Sequence, residues 1–398
     1  MSELLPSLQA RDLREGLVDY LTTTFALVDP EPRRALREFL DDESDGIFKG
    51  PYLRLRLPFR PADAGWQSSL DWLPEFTPYR HQAQAYERLT TKGRFDQGTR
   101  PEPTLVTTGT GSGKTESFLH PILDHVLRAK RAGVTGTKAL ILYPMNALAD
   151  DQAGRLTELL TTDPALAGVT AGIYTGGQTR EDTRVSSRGL ITSRHAMRDQ
   201  APDILLTNYK MLDQLLLRPD DQSIWAQSAL SLTYLVLDEF HTYDGAQGTD
   251  VAMLLRRLGI ALKSHWPDEH PEISPADRAR PMGKMTPVAT SATLGDDTDA
   301  SAMLAFAHTV FGEEIAPDAV ITETRQSWAQ WSDGAQAPAP SRLREMSGEQ
   351  LSQVAAAASD HADDPAALTG AVLACLHTES IEQFEPLDLI KSTPTFRV

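Results

Sequence analysis

The chain has 398 residues, of which 40% are hydrophobic and 23% are charged, an ordinary balance for a folded protein of two to three domains. Its single cysteine excludes a disulfide within the chain and a multi-cysteine zinc site, and its net charge of −17 excludes a surface that is basic throughout. No apolar run approaches the roughly 18 residues of a transmembrane helix, and the N-terminus lacks a secretory signal pattern. These features predict a cytoplasmic protein with no membrane partner.

Residues 1–74 are predicted to form an N-terminal accessory segment. An apolar residue recurs at every fourth position from Leu13 to Phe25, which predicts an amphipathic helix that buries this face. The run LRLRLPF at 53–59 alternates leucine with arginine, which predicts a half-buried strand.

Between residues 75 and 325, short apolar runs alternate with longer helical patterns. The predicted strands are TLVTT (104–108), ALILYP (139–144), VTAGIYT (169–175), DILLTN (203–208), YLVLDE (234–239) and PVATSAT (287–293). Buried strands that alternate with helices predict an α/β fold with a parallel sheet. Ligands of such sheets bind at the carboxyl ends of the strands, where the polar residues of these runs fall.

The turn after the first predicted strand reads TGTGSGKT, at 108–115. Its glycines allow backbone N–H groups to close around a phosphate, and the helix that follows directs its positive end at the same anion. Lys114 would reach the β- and γ-phosphates, and the Thr115 hydroxyl would coordinate Mg²⁺. We therefore predict ATP and Mg²⁺ as cofactors. The loop residues predicted to bind the nucleotide are Thr110, Gly111, Ser112, Gly113, Lys114 and Thr115.

Two further motifs indicate hydrolysis of the nucleotide. The run YLVLDEFH ends an apolar strand with adjacent carboxylates, of which Asp238 would hold Mg²⁺ and Glu239 would orient and deprotonate the attacking water. Lys114, Asp238 and Glu239 are therefore the predicted catalytic residues. The run ATSATL at 289–294 ends another strand with small hydroxyl residues, which are suited to bridging between the carboxylates and a neighbouring element.

With these three motifs in order, residues 75–325 resemble the first RecA-like domain of a superfamily 2 DExH-box helicase. The loop is similar to motif I, DEFH to motif II and SAT to motif III. The resemblance implies a P-loop NTPase fold, a three-layer sandwich around a parallel sheet. It also implies that His241, Ser291 and Thr293 relay the nucleotide state to the nucleic-acid face.

The run TPYRHQ at 77–82 is similar to the adenine-reading Q motif of this superfamily. Gln82 could bond both the donor and the acceptor edge of adenine, and either Tyr79 or Phe76 would stack on the ring.

Three other runs are similar to the nucleic-acid motifs of the superfamily, namely YPMNALADDQ (143–152), YTGG (174–177) and LLTNYKMLDQLLLRP (205–219). The residues that the resemblance assigns to phosphate contacts are Asn146, Gly176, Gly177, Thr207 and Asn208. Amides, hydroxyls and backbone N–H groups hold a strand without reading its sequence, which reconciles nucleic-acid binding with an acidic chain.

Two longer stretches, 47–59 and 237–258, are most similar to large bacterial YprA/MrfA-type helicases and to related phage-defence helicases. This resemblance implies an ATP-dependent DNA helicase or translocase that acts in DNA repair or phage defence, with DNA favoured over RNA as the bound strand.

Beyond SATL we find neither a second strand–helix alternation of sufficient length nor a run with arginine fingers, and 326–398 is predicted to be a linker and an acidic helical extension. A second RecA-like domain is therefore expected in trans, and the isolated chain should hydrolyse ATP weakly. Three explanations stay open: a split helicase subunit, a truncated gene product, or a regulatory module that binds ATP and nucleic acid without turnover. A translocase that works with a separate nuclease is a further alternative.

Overall fold

The computed structural model describes residues 6–24, 29–42, 46–48, 56–93, 100–176, 181–292, 300–331 and 333, and positions 356, 364, 367, 370 and 371. The chain divides into two compact units, one of Phe59–Thr324 and one of Met1–Pro58 with Arg325–Val398. The larger unit therefore begins before residue 75, where the sequence suggested a boundary. The reason is that the Asp124 carboxylate accepts hydrogen bonds from the backbone N–H groups of Asp71 and Trp72, at 2.9 and 2.8 Å.

The larger unit contains one parallel sheet. Its strands are β1 (Thr104–Thr107), β2 (Ala139–Tyr143), β3 (Ala171–Tyr174), β4 (Ile204–Asn208), β5 (Tyr234–Leu237), β6 (Thr286–Ser291) and β7 (Val320–Thr322). They are hydrogen-bonded in the order β3-β4-β2-β5-β6-β1-β7, and every pair is parallel. The six strands predicted from sequence are all present, and the predicted α/β fold is confirmed. The short edge strand β7 was not predicted.

Helices cover both faces of this sheet. They are α3 (Arg80–Leu89), α4 (Lys114–Arg131), α5 (Asn146–Thr162), α6 (Arg194–Asp199), α7 (Tyr209–Leu217), α8 (Gln222–Ser228), α9 (Gly245–Lys263), α10 (Pro275–Ala279) and α11 (Ala300–Phe311). Strand β2 shows how the hydrophobic core divides between the two faces of the sheet. Ile141 packs with α4 and α5 on one face, and its neighbour Leu142 packs with α9 and α11 on the other. The expected three-layer sandwich is thus observed.

The smaller unit contains α1 (Pro6–Thr24), α2 (Pro30–Asp41) and α12 (Trp328–Trp331). Arg14 joins the first two helices, because its Nε and one terminal nitrogen donate to the side chain and the backbone oxygen of Asp41 at 3.0 and 2.6 Å. The predicted helix is confirmed, but its predicted buried face is wrong: Leu13 and Leu17 are 65% and 45% exposed, and Val18 is buried instead. Residues 53–55 of the predicted strand lie outside the described residues, and residues 56–58, which are described, are not in a strand. The extension at 326–398 lies largely outside the described residues. No helix in the described ranges is both long and apolar enough to cross a bilayer.

Candidate functional site

The glycine-rich loop links the carboxyl end of β1 to the N-terminus of α4. Gly111 and Gly113 have φ angles of +77° and +75°, a backbone conformation that favours glycine. Helix α4 has 18 residues, so the loop faces the positive end of a long helix dipole. The loop closes on itself, because the Thr108 and Ser112 hydroxyl oxygens lie 2.6 Å apart. Thr110 and Gly111 are exposed at its tip. This geometry can hold a phosphate group.

Gln82, which was predicted to read adenine, is buried against this loop. Its Nε2 donates to the carbonyl oxygen of Gly113 at 3.0 Å, and its Oε1 accepts from the backbone N–H of Tyr79 at 2.8 Å. The Tyr79 ring stacks on His81, with 5.6 Å between ring centroids, and His81 Nε2 lies 2.8 Å from the Ser112 carbonyl oxygen. The adenine contacts stay predictions. The structure adds that Gln82 bonds the loop directly and that Tyr79 packs on His81, which lies against the loop.

Phe76 contacts a different set of residues from Tyr79. Its ring is 43% exposed and packs edge-on against His120, with 5.4 Å between ring centroids. Phe76 and Thr115 both line a cavity of about 490 Å³ between α4 and α5. Of the two rings predicted to stack on adenine, Phe76 therefore shares this cavity with Thr115 of the loop.

Glu323 is a loop contact that sequence reasoning missed. Its Oε2 accepts a hydrogen bond from the backbone N–H of Gly109 at 2.7 Å. Glu323 directly follows β7, and β7 pairs with β1. No sequence pattern marked this position, because the short strand before it carries no clear periodicity.

The two predicted carboxylates follow β5. Asp238 is 4% exposed, and its burial raises the pKa of the carboxyl group; the neighbouring charge on Glu239 acts in the same direction. Glu239 has φ and ψ of 50° and 49°, the left-handed region, and among the described residues no other non-glycine has a positive φ. Such a conformation costs roughly 1–3 kcal/mol and concentrates at functional sites. Lys114 Nζ lies 3.3 Å from Glu239 Oε1, so the loop lysine and this carboxylate form an ion pair.

Thr290 on β6 supports both carboxylates and was not predicted as a site residue. Its hydroxyl donates to Asp238 Oδ1 and accepts from the backbone N–H of Glu239 at 3.3 Å. The strand register explains the contact: Leu237 pairs with Ala289, so the next residue of β5 and the next residue of β6 are neighbours. The hydroxyl-rich run at 289–294 was the available signal, but it did not single out this position.

The predicted coupling residues lie beside this pair. His241 Nδ1 lies 3.2 Å from the Ser291 hydroxyl oxygen and 3.4 Å from Glu239 Oε2. A chain of polar contacts therefore connects the end of β6 with the carboxylate that faces Lys114. Thr293 lies outside the described residues.

Two of the predicted nucleic-acid residues are brought together at the same edge of the sheet. Asn146 begins α5 after β2, and Asn208 ends the adjacent strand β4. Asn208 Nδ2 donates to Asn146 Oδ1 at 2.5 Å, and Asn208 Oδ1 accepts from the backbone N–H of Met211 at 2.8 Å, which caps α7. Neither bond uses the Asn146 Nδ2 donors or the second N–H of Asn208 Nδ2, so both amides can donate to a phosphate without breaking this network.

The other three predicted nucleic-acid residues differ in accessibility. Thr207 is fully buried, and its hydroxyl donates to the Tyr174 carbonyl oxygen at 2.6 Å, so the structure does not support the predicted hydroxyl contact with a phosphate. Gly176 is exposed just beyond β3. Gly177 lies outside the described residues.

A nucleotide and a cation fit this arrangement. The loop N–H groups, the N-terminus of α4 and Lys114 are positive, which suits a phosphate. Asp238 and Thr115 offer the oxygen ligands that Mg²⁺ prefers. In the described part of the chain, no three His, Cys, Asp or Glu side chains form a cluster that could hold a metal ion. A Mg²⁺ ion at this site would therefore need phosphate oxygens and water to complete its shell.

Comparison with known families identifies the chain. The model of a family described as "DEAD/DEAH box helicase" matches residues 79–300, more than half of the sequence. The chain belongs to the DEAD/DEAH box helicase family. The match confirms the resemblance to helicases that motifs I, II and III indicated.

Similar proteins in this helicase family are much longer than the present chain. The Druantia protein DruE of Escherichia coli is 27% identical over 73% of this chain and 20% of DruE. The ATP-dependent helicase hrq1 of Schizosaccharomyces pombe is 30% identical over 45% of this chain and 14% of that protein. The ATP-dependent helicase YprA of Bacillus subtilis is 31% identical over 45% of this chain and 20% of YprA. The chain thus spans a fifth or less of each relative.

Proposed function

We propose that this chain is the N-terminal ATPase half of a DNA helicase or translocase, and that it binds Mg·ATP and a DNA strand. Family membership supports ATP as the substrate. The observation that carries the proposal is the ion pair between Lys114 of the loop and Glu239 at the end of β5. It joins the phosphate-binding element to a base candidate held in a strained conformation.

In this proposal the γ-phosphate separates the ion pair. Lys114 moves its charge to the phosphate oxygens, and Glu239 is released to accept a proton from the attacking water. Asp238 and Thr115 would hold a Mg²⁺ ion, which would offset the negative charge of the phosphates. Thr290 keeps Asp238 and the Glu239 backbone in place throughout, because it bonds both.

Stabilising the negative charge of the transition state requires more positive groups than Lys114 alone. Within the described residues, no arginine forms an ion pair with Asp238 or Glu239. We propose that a second RecA-like domain, on the same polypeptide or on another, provides the missing arginine. Such a residue accelerates phosphoryl transfer by about 10³–10⁵-fold.

The nucleic-acid strand is proposed to run along the carboxyl ends of β2, β4 and β3. Asn146, Asn208 and Gly176 lie at these ends, and their amides and backbone can contact phosphates without regard to sequence. The resemblance of 47–59 and 237–258 to YprA/MrfA-type and phage-defence helicases supports a role in DNA metabolism, either repair or phage defence.

The test is Glu239→Gln, with Glu87→Gln on the exposed face of α3 as a matched control. Because a general base contributes about 10²–10⁴-fold, Glu239→Gln should slow ATP hydrolysis by that factor and leave ATP binding within a few-fold of the parent. Hydrolysis is followed under single-turnover conditions, with protein in excess of radiolabelled ATP. Equal rates in Glu239→Gln and Glu87→Gln would reject Glu239 as the base. ATP binding without hydrolysis in every protein, even with a second RecA-like domain present, would favour a regulatory binding module.

A further inference from the structure

Between β3 and β4 lies a segment, 183–198, that is basic although Glu181, Asp182 and Asp199 border it. From Thr183 to Arg198 it contains four arginines and no acidic residue, although the whole chain has a net charge of −17. The function proposed above gives this segment no role. Its position in the fold suggests one.

Part of this segment extends the sheet beyond its edge strand. Ile191 forms a parallel bridge with Gly172 of β3: the Ile173 N–H donates to the Ile191 carbonyl oxygen at 2.9 Å, and the Ile191 N–H donates to the Ala171 carbonyl oxygen at 3.0 Å. Because the bridge is parallel, the residues that follow Ile191 run toward the carboxyl end of the sheet. Arg194, at the start of α6, therefore lies at the same edge as Gly176.

The preceding residues are fixed at that same edge. The carbonyl oxygen of Asp182 accepts from the backbone N–H groups of Thr192 and Ser193, at 2.9 and 3.0 Å. Arg184 is only two residues from this anchor and is exposed. Arg194 thus lies at the edge of the sheet that carries the exposed Gly176, and Arg184 lies two residues from an anchor at that edge.

The four arginines differ in what they contact. Arg198 is held by Asp221, with Nε 2.6 Å from Oδ1, so it has a structural role. Arg188 lies 3.9 Å from an Asp182 oxygen. Neither Arg184 nor Arg194 forms an ion pair within the described ranges. The Arg194 guanidinium lies 5.1 Å from the centroid of the Tyr174 ring, a cation–π contact that orients it without neutralising it.

We propose that Arg184 and Arg194 form a basic rim that binds the phosphates of single-stranded DNA beside Gly176. The inference rests on the proposed function and adds a charged section to a path otherwise built from amides and backbone. Arginine binds phosphate through a planar fork of donors, and an exposed guanidinium held on an aromatic ring is already partly oriented for this. The rim would contribute affinity and no base specificity.

Binding of a fluorescein-labelled oligothymidylate to the full chain, measured by anisotropy over a range of salt concentrations, tests the rim. Each phosphate contact to a single strand contributes about 0.7 to the slope of log K against log salt. Arg184→Ala and Arg194→Ala should each lower that slope by about 0.7 and weaken binding by roughly fivefold at 0.1 M salt. The double variant should lose about twice the slope.

Three controls make the result interpretable. Arg131→Ala removes the same charge from the exposed C-terminal turn of α4, at the opposite edge of the sheet, and should leave the slope unchanged. Arg194→Lys keeps the charge and should restore the slope lost in Arg194→Ala, which a purely structural role would not explain. Melting temperatures show whether each variant is folded.

The outcomes separate the rim from the proposed function. Parental DNA binding with an unchanged slope in both arginine variants would overturn the rim alone. Failure of the parent chain to bind the oligonucleotide at any salt concentration would overturn the rim and the proposed DNA path together, while ATP hydrolysis would still be tested by Glu239→Gln.

Discussion

Replacement of Thr290 by valine tests whether the hydroxyl on β6 organises the catalytic carboxylates. Valine has nearly the same shape as threonine but neither donates to Asp238 nor accepts from the Glu239 N–H. A hydrogen bond to a charged group contributes about 1.5–3 kcal/mol. If that energy holds Asp238 and Glu239 in place during hydrolysis, its loss slows the chemical step by about 10- to 150-fold.

The rate of single-turnover ATP hydrolysis measures this change. The ratio of the variant rate to the parent rate is informative even where the parent hydrolyses ATP slowly. Thr290→Ser keeps the hydroxyl and should recover most of the rate. Thr286→Val is the matched control, because Thr286 is also buried on β6 but donates to the Pro101 carbonyl oxygen, at the far end of the strand. A Thr290→Val rate within twofold of the parent at saturating Mg²⁺ would refute the positioning role.

Three further predictions concern stability and binding. Because burial raises the pKa of Asp238, its ionised form destabilises the fold at pH 7. Asp238→Asn should therefore raise the melting temperature at pH 7, and this gain should shrink as pH falls through the folded-state pKa of Asp238. The same variant should abolish ATP hydrolysis. Gly113→Ala should weaken binding of a fluorescent ATP analogue at least tenfold, because its φ is +75° and the new Cβ would lie 2.2 Å from Gln82 Nε2. Asp203→Asn should cost about 3–5 kcal/mol in urea unfolding, because the buried Lys138 loses its partner at 2.8 Å. Burial alone would raise the pKa of Asp203, but the ion pair with Lys138 lowers it overall. In the parent protein, the stability that this ion pair provides should therefore be lost as pH falls through the lowered pKa of Asp203.

The strands and the loop could be predicted because their physical signals are local. A parallel strand buried on both faces is usually a near-continuous apolar run, and Tyr234–Leu237 is one. The residues that follow such a run necessarily stand at the carboxyl edge of the sheet. Asp238 and Lys114 were therefore placed correctly at that edge from the sequence alone.

The contacts that complete the site depend on strand order and register, which no local pattern contains. Strand β6 lies between β1 and β5, and the pairing of Leu237 with Ala289 sets Thr290 beside Asp238. The burial of Thr207 likewise depends on which strand lies next to β4. The left-handed backbone of Glu239 could not be anticipated, since glutamate has no preference for it.

The predicted face of α1 failed for a related reason. A four-residue apolar repeat marks a stripe on α1, but the buried residues in its described part are Val18 and Thr22, each one position beyond a predicted residue. Which stripe is covered is decided by the packing of α2, where Asp41 receives two hydrogen bonds from Arg14. Periodicity alone does not identify the partner helix.

We propose above that this chain is one half of an ATP-driven motor. The most direct measurement is the rate of ATP hydrolysis by the chain with and without single-stranded DNA and with and without a second RecA-like domain. We expect a slow basal rate that rises by about 10³-fold or more only when both additions are present, and no such rise in Glu239→Gln. ATP binding with an unchanged rate in every combination would contradict it.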